Sequence, residues 1–146
     1  MSNDERNKQK GTIAESAAAT ALLKEGFGVS FPLGDYLTWD LVTDWKGKVN
    51  RIQVKTGRKV KTTYHIGLTR SKDGSSEIYD SEACDFLMII LPYGEDYEEL
   101  NGDGIYIVPV SECTVKSKHI WPPGMGGRKG VVCEWEKYRN QYRLLK

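Results

Sequence analysis

An amide and a lysine lie two positions apart in a segment whose composition is typical of a β-strand. Gln53 and Lys55 flank the apolar Val54, and Ile52 precedes them. Because successive side chains of a strand point to opposite faces, Gln53 and Lys55 project together while Ile52 and Val54 point into a core. An amide and an ammonium group on one face are suited to binding a phosphate group beside a metal ion.

A carboxylate on a neighbouring strand extends this group. Asp40 lies between two apolar residues in a second strand-like segment, residues 36–42, and residues 44–48 have the composition of a hairpin turn. Burying an unpaired carboxylate in such a strand would cost several kcal/mol. Asp40 therefore needs a cation, which Lys55 or a metal ion could supply. A structural hairpin with a surface pair of Gln53 and Lys55 explains the same three residues equally well.

A second carboxylate, Glu15, lies on a predicted helix. At about 100° per residue it falls on the same side as Ala19, Leu22 and Leu23. An acid on an apolar stripe is either a charge that turns to solvent near the helix start or a buried functional group. The helix alone leaves both interpretations open.

Together these side chains would suit the hydrolysis of a phosphodiester bond. That reaction needs a water positioned in line and negative charge stabilised on the phosphoryl oxygens. Mg²⁺ does both, and it prefers oxygen ligands while keeping several waters. We expect Asp40 to be its best ligand, Gln53 to offer a neutral carbonyl oxygen, and Glu15 to orient water from the outer shell. Lys55 would orient or activate the water, or stabilise the transition-state charge.

Positive charge is concentrated in the segment that begins at this site. Residues 51–72 contain seven basic residues and no acidic one, whereas residues 73–103 contain ten acidic residues and no Lys or Arg. Such a basic run is either a solvated surface or a channel for a polyanion. We expect it to bind DNA, with the acidic segment facing away. The candidate DNA contacts are Arg51, Arg58, Lys59, Lys61, Arg70 and Lys72.

Length and composition indicate a single domain, residues 1–146. The longest apolar run, residues 86–91, is far shorter than the roughly 18 residues that span a bilayer, so we expect no membrane partner. The polar N-terminus has no apolar signal-peptide core, which predicts a cytoplasmic protein. Cys84, Cys113 and Cys133 lack CxxC spacing and are expected to be buried free thiols. A zinc site at Cys113 and His119 would need further ligands.

Periodicity predicts the elements that must position these residues. The core of their order, αβββαβ with an optional fourth strand before the second helix, indicates an α/β fold with a mixed β-sheet flanked by helices on both faces. The predicted helices cover residues 9–24, 77–83 and 134–145, and the predicted strands cover residues 29–31, 39–44, 49–56, 64–69, 85–91 and 105–110.

Four short segments resemble, in this order, the PD-(D/E)XK nuclease superfamily: KGTIAE (10–15), WDLV (39–42), IQVK (52–55) and CDFL (84–87). The similarity spans residues 8–145 and is closest to group I intron-associated homing endonucleases, which are similar to archaeal Holliday junction resolvases. It implies a restriction-endonuclease-like fold, Mg²⁺ with Mn²⁺ as a substitute, and the Val54 backbone carbonyl as a second metal ligand. Gln53 departs from the pattern because most members have Glu or Asp there. Trp39 stands in place of the eponymous proline.

We therefore predict a Mg²⁺-dependent, site-specific endonuclease of the homing type that acts on double-stranded DNA. A Holliday junction resolvase is the alternative of the same class. A DNA-binding protein with a decayed catalytic site, of which Gln53 would be the symptom, is the alternative of another class. Intact Glu15, Asp40 and Lys55 argue against decay.

Cutting both strands requires two active sites, and one chain carries a single set of these residues. The sequence therefore predicts a homo-oligomer, a dimer at minimum, and the resemblance to the homing branch implies a tetramer. The C-terminal aromatic residues either offer a packing surface for this assembly or cap the sheet. They are Trp121, Trp135, Tyr138 and Tyr142, accompanied by Leu144.

Overall fold

The fold begins with one long helix, whose start is stabilised by a capping box. In the computed structural model, which describes residues 1–91, 104–123 and 131–146, helix α1 covers Asn3–Lys24. The Ser2 hydroxyl accepts a hydrogen bond from the Glu5 amide at 3.2 Å, and the Ser2 amide donates to the Glu5 carboxylate at 2.6 Å. This capping box explains why the helix begins well before the predicted start at residue 9. Gly26, with φ of 90°, follows its C-terminus, which lies at the predicted residue 24.

Ten short strands make up most of the remaining described chain. They are β1 (Gly28–Ser30), β2 (Leu41–Trp45), β3 (Lys48–Thr56), β4 (Arg58–Val60), β5 (Thr63–Gly67), β6 (Thr69–Lys72), β7 (Ser75–Ile78), β8 (Phe86–Ile90), β9 (Ile105–Pro109) and β10 (Ser117–Ile120). Strands β1, β2, β3, β8 and β9 confirm five of the six predicted strands. The sixth, at residues 64–69, is divided between β5 and β6, and β4, β7 and β10 were not predicted.

A five-stranded mixed sheet forms the centre of the molecule, in the order β1-β2-β3-β8-β9. Strands β3 and β8 run parallel, and the other neighbours are antiparallel. The β2–β3 hairpin turns through Lys46 and Gly47, whose φ angles of 51° and 88° are those of a two-residue hairpin loop. The predicted hairpin and the predicted mixed sheet are both confirmed.

A different layer covers each face of this central sheet. Helix α1 packs on one face, where Leu22 and Ile52 belong to the same buried core. On the other face, Ile89 shares a second core with Ile66 of a three-stranded sheet with the order β10-β5-β4. The prediction of helices on both faces is therefore wrong for the described residues, because the second layer is a sheet.

The prediction of a helix at residues 77–83 is also wrong. Strand β7 occupies the start of that segment and pairs with β6 through a hairpin. Asp73 and Gly74 form its turn with φ angles of 50° and 80°. An Asp-Gly pair is a strong signal for such a turn, so the sequence did contain the information that places a strand here.

The predicted C-terminal helix is replaced by two 3₁₀ helices, Glu134–Tyr138 and Tyr142–Leu145. Trp135 is fully buried in the core between the two sheets, whereas Leu145 is fully buried in the core beneath α1. One straight helix cannot reach both faces of the central sheet, and Asn140, with φ of 55°, provides the bend. The C-terminal segment therefore caps the sheet, and Trp135 is not available as an oligomerisation surface.

The cysteines behave as the sequence predicts. All three are free and buried, and burial raises the pKa of the Cys84 thiol to about 12. Within the described parts of the chain, Cys113 and His119 belong to no group of three or more potential metal ligands. None of the described helices is long and apolar enough to cross a membrane.

Candidate active site

The four predicted site residues line one open cleft of about 380 Å³. It lies where α1, the residue before β2, and the second half of β3 meet. Ile52 and Val54 point into the core beneath α1, while Gln53 and Lys55 are half-buried, as the alternation of β3 requires. The lining residues are Gly11, Ala14, Glu15, Asp40, Gln53, Val54, Lys55, Thr56 and Gly67.

Asp40 is locked onto β3 by three hydrogen bonds. Its amide donates to the Ile52 carbonyl at 2.8 Å, which extends the β2–β3 pairing by one residue. Its Oδ2 accepts from the Val54 amide at 2.8 Å and from Gln53 Nε2 at 2.7 Å. These bonds hold the carboxylate in a fixed orientation at the wall of the cleft.

Gln53 presents its nitrogen to the groups expected to bind metal. A carboxylate without a proton only accepts, so the amide facing Asp40 must do so with Nε2. The same Nε2 lies 3.3 Å from the Val54 carbonyl oxygen. The nitrogen thus occupies a point that both Asp40 Oδ2 and the Val54 carbonyl can reach. The sequence predicted the Gln53 oxygen at this place, and the structure has the nitrogen there.

The electrostatics of the cleft favour an additional positive charge. Burial raises the pKa of Asp40, although the hydrogen bond from Val54 and the charge of Lys55 act in the opposite direction. The pKa of Glu15 is also raised, first by burial and then by the negative charge of Asp40. Glu15 is therefore a partly buried group that interacts with Asp40. A cation between the two carboxylates would offset both effects.

Lys55 is held by a residue that sequence reasoning missed. Its Nζ lies 4.6 Å from the centroid of the Tyr79 ring, a distance typical of a cation–π contact. Tyr79 is buried in the core between the two sheets, and its amide donates to the Leu68 carbonyl at 3.2 Å. No spacing in the sequence signals this contact, because Tyr79 falls in the segment wrongly predicted as a helix.

Three of the candidate DNA contacts form ion pairs within the protein. Arg51 pairs with Asp85 at 2.9 Å, Arg70 with Asp80 at 3.4 Å, and Lys72 with Glu82 at 3.2 Å. The expectation that the acidic segment faces away from the basic one is therefore wrong for its described part. Residues 92–103, which carry the rest of its acids, lie outside the described residues.

The other three candidates belong to one hairpin and keep their charge unpaired. Arg58 and Lys59 lie on β4, and Lys61 begins the turn into β5. All three side chains are exposed, and none forms an ion pair with another described residue. Their charges remain available to an external anion.

The donor set of the cleft fits a hard divalent cation. The described residues contain no group of three His, Cys, Asp or Glu side chains that could hold a metal ion. The cleft instead offers two carboxylates, one backbone carbonyl and one side-chain amide. Oxygen ligands of this kind, few in number and completed by water, suit Mg²⁺, while the absence of Cys and His ligands does not suit zinc.

Comparison with known proteins finds similarity over most of the chain. The sequence model of the PD-(D/E)XK endonuclease family matches residues 5–121. A solved structure of a bacterial homing endonuclease, I-Ssp6803I, matches with a TM-score of 0.76 at 27% sequence identity, over 94% of this chain and 91% of that chain. No curated protein sequence matches. The structural match confirms the predicted restriction-endonuclease-like fold.

Proposed function

Because the chain belongs to the PD-(D/E)XK endonuclease family, we propose that it is a Mg²⁺-dependent endonuclease that hydrolyses double-stranded DNA at a specific site. One geometric observation carries the chemistry. Asp40 Oδ2 and the Val54 carbonyl oxygen lie 2.7 and 3.3 Å from the same atom, Gln53 Nε2. Two oxygen ligands that converge on one point are what a small divalent cation requires.

Four groups of the cleft would hold the metal ion. Asp40 and the Val54 carbonyl would coordinate it directly, Gln53 would turn its amide to offer the oxygen, and Glu15 would act from the outer shell. Bound Mg²⁺ supplies positive charge beside the phosphoryl oxygens and eases deprotonation of water. Mn²⁺ prefers the same oxygen ligands and would substitute.

The chain's own residues would do the positioning. Glu15 would accept a hydrogen bond from the attacking water and so align it with the phosphorus atom. Lys55, held over the Tyr79 ring, would place its ammonium group beside the oxygens on which negative charge grows in the transition state. The hydrogen bond from the Val54 amide would keep Asp40 in place throughout.

Site specificity is supported by the similarity to a homing endonuclease over nearly the whole length of both chains. A cytoplasmic location is part of the proposal, because a DNA substrate and free, unpaired cysteines are both typical of that compartment. Intact Glu15, Asp40 and Lys55, gathered in one cleft, support catalysis over the decayed, binding-only alternative.

Incubation of the purified protein with three DNA substrates tests this proposal. Linear duplex, a four-way junction and a single strand are each treated with and without Mg²⁺, and Asp40→Asn serves as the control against a contaminating nuclease. We expect Mg²⁺-dependent cleavage of the duplex at few positions. Preferential cleavage of the junction would indicate a resolvase instead. Binding of DNA without cleavage of any substrate would indicate a decayed site.

A further inference from the structure

The β4–β5 hairpin is a direct continuation of the catalytic strand. Arg58, the first residue of β4, follows Lys55 by three positions, so their Cα atoms are at most about 11 Å apart. Gly57 joins the two strands and is buried. A Cβ atom there would lie 2.5 Å from Ile66 Cδ1 and 3.0 Å from Tyr64 Cβ. This close packing fixes the hairpin relative to the cleft.

The outward face of the three-stranded sheet carries a row of three polar side chains. Tyr64 and Ile66 point from β5 into the core, so His65 between them points outward. Arg58 on β4 and His119 on β10 are both paired in register with His65. Residues directly opposite each other in a sheet project to the same side. Arg58, His65 and His119 therefore form one row across three strands.

Contacts within the sheet hold this row in place. The His65 and His119 rings meet edge to face with centroids 5.2 Å apart. The Thr63 hydroxyl and His119 Nδ1 are hydrogen-bonded at 3.0 Å. Side chains that are ordered before binding lose less entropy when they contact a ligand.

The same face leads directly into the cleft. Gly67 lines the cleft and lies two residues beyond His65 on β5, a separation of about 7 Å. At the other end of β5, the hairpin carries two exposed charges, Lys61 in the turn and Lys59, which is in register with Tyr64 and so projects from the opposite side of the edge strand. A molecule lying along this face would thus touch a fixed polar row, a basic edge and the cleft together.

We propose that the β4–β5 hairpin enters the major groove of DNA beside the scissile phosphate and reads base edges with Arg58, His65 and His119. This inference rests on the proposed function. The major groove admits a two-stranded ribbon, and β10 would lie beside β5 at the edge of the groove and supply His119. Arg58 would donate two hydrogen bonds to a guanine, and the histidines would donate to purine acceptors. Lys59 and Lys61 contact phosphates.

The covalent distance from Lys55 sets where these bases lie. About 11 Å corresponds to roughly three base pairs at 3.4 Å each, and side-chain length extends the reach to about five. The bases read by Arg58 therefore lie within about five base pairs of the cut. His65 and His119 lie about 5 and 10 Å farther across the sheet, so the bases that they read lie within about eight base pairs.

Cleavage of a randomised duplex library, followed by sequencing of the cut sites, tests the inference. Arg58→Ala, His65→Ala and His119→Ala should each lose base preference at one or two positions, within about five base pairs of the cut for Arg58 and within about eight for the histidines. For Arg58 the discrimination should fall by roughly five- to a hundredfold. Arg58→Lys keeps the charge but not the paired donors, so it should lose the same preference while binding DNA normally. Arg143→Ala, an exposed arginine of the C-terminal segment, is the matched control.

The outcomes separate this inference from the proposed function. A wild-type protein that cuts the library without sequence preference overturns the site-specific function and the inference together. A selective wild type whose variants keep every preference, or bind more weakly at all sequences alike, overturns the inference and leaves the function standing. Circular dichroism and unfolding temperature establish that each variant is folded.

Discussion

Burial raises the pKa of Asp40 although the Val54 amide and the Lys55 charge act in the opposite direction. A carboxyl group whose pKa is higher in the folded than in the unfolded protein makes folding less favourable once it ionises. This cost therefore appears as the pH rises through the folded-state pKa and is absent at lower pH. The metal-free cleft thus holds a carboxyl group whose ionisation weakens the fold, and a bound cation would offset this cost.

Replacement of the two charged groups at the cleft wall should separate catalysis from binding. Asp40→Asn and Lys55→Ala should each abolish cleavage while DNA binding stays within about tenfold, because their contacts matter most in the transition state. Asp40→Asn should also raise the unfolding temperature of the metal-free protein at neutral pH, and this gain should vanish in acid. Gel cleavage, fluorescence binding and thermal unfolding measure these effects. Wild-type turnover in either variant would contradict the site assignment.

Gln53 is the residue on which metal affinity should depend. In the metal-free cleft its nitrogen donates to Asp40 and to the Val54 carbonyl, where a cation would bind. Gln53→Glu cannot donate these bonds and adds negative charge, so it should lower the unfolding temperature without metal and increase the stabilisation by Mg²⁺. Thermal unfolding across a Mg²⁺ titration, without DNA, measures both. Gln53→Ala is the comparison. If that variant unfolds and cleaves DNA like the wild type, Gln53 does not contribute to metal binding.

At the scale of elements, charge pairing divides the basic segment into two parts. Arg51, Arg70 and Lys72 are compensated by acids of the protein. The cations of the β4–β5 hairpin form no ion pair with another residue that the structure describes. The sequence could identify the basic run but not this division, because pairing depends on how the β6–β7 hairpin returns toward β8. We therefore assign the phosphate contacts to the hairpin alone.

Neutralising the hairpin should weaken DNA binding and flatten its dependence on salt. Substituting Arg58, Lys59 and Lys61 by glutamine should reduce the slope of log affinity against log salt by roughly one unit for each lost phosphate contact. The matched control removes three exposed cations elsewhere: Lys24, Lys137 and Arg143. Fluorescence titrations at several salt concentrations compare the two sets. Equal effects of both would show that the hairpin is not the DNA surface.

Local patterns predicted the elements that carry the site, and long-range contacts decided the others. The alternation of residues 51–55 places Gln53 and Lys55 together, and strand pairing then brings Asp40 to them. The turn at Asp73 and the cap at Ser2 were also legible in the sequence. The sequence did not predict the donor orientation of Gln53 or the contact between Lys55 and the Tyr79 ring, because both follow from tertiary packing.

At the scale of the whole molecule, one chain is too small to cover a long DNA target and has too few active sites to cut both strands. A folded chain of this length has a radius of gyration of roughly 15 Å and spans about 40 Å, which covers about a dozen base pairs of duplex. The described residues form one cleft with Asp40 and Lys55, so a single chain can hydrolyse one strand at a time. Two-fold symmetric DNA is matched by a dimer, which places one cleft on each strand.

Light scattering at micromolar concentration, with and without duplex DNA, should show a particle of at least twice the 16.5 kDa chain mass. The homing-type resemblance favours a tetramer, in which one pair of clefts would engage a target. Cleavage of a supercoiled plasmid provides the functional counterpart. Two clefts acting together should give linear DNA with little nicked intermediate, because the second cut follows before dissociation. A protein that is a 16.5 kDa monomer without DNA, binds duplex as a single chain and produces only nicked plasmid would contradict the double-strand-cutting function.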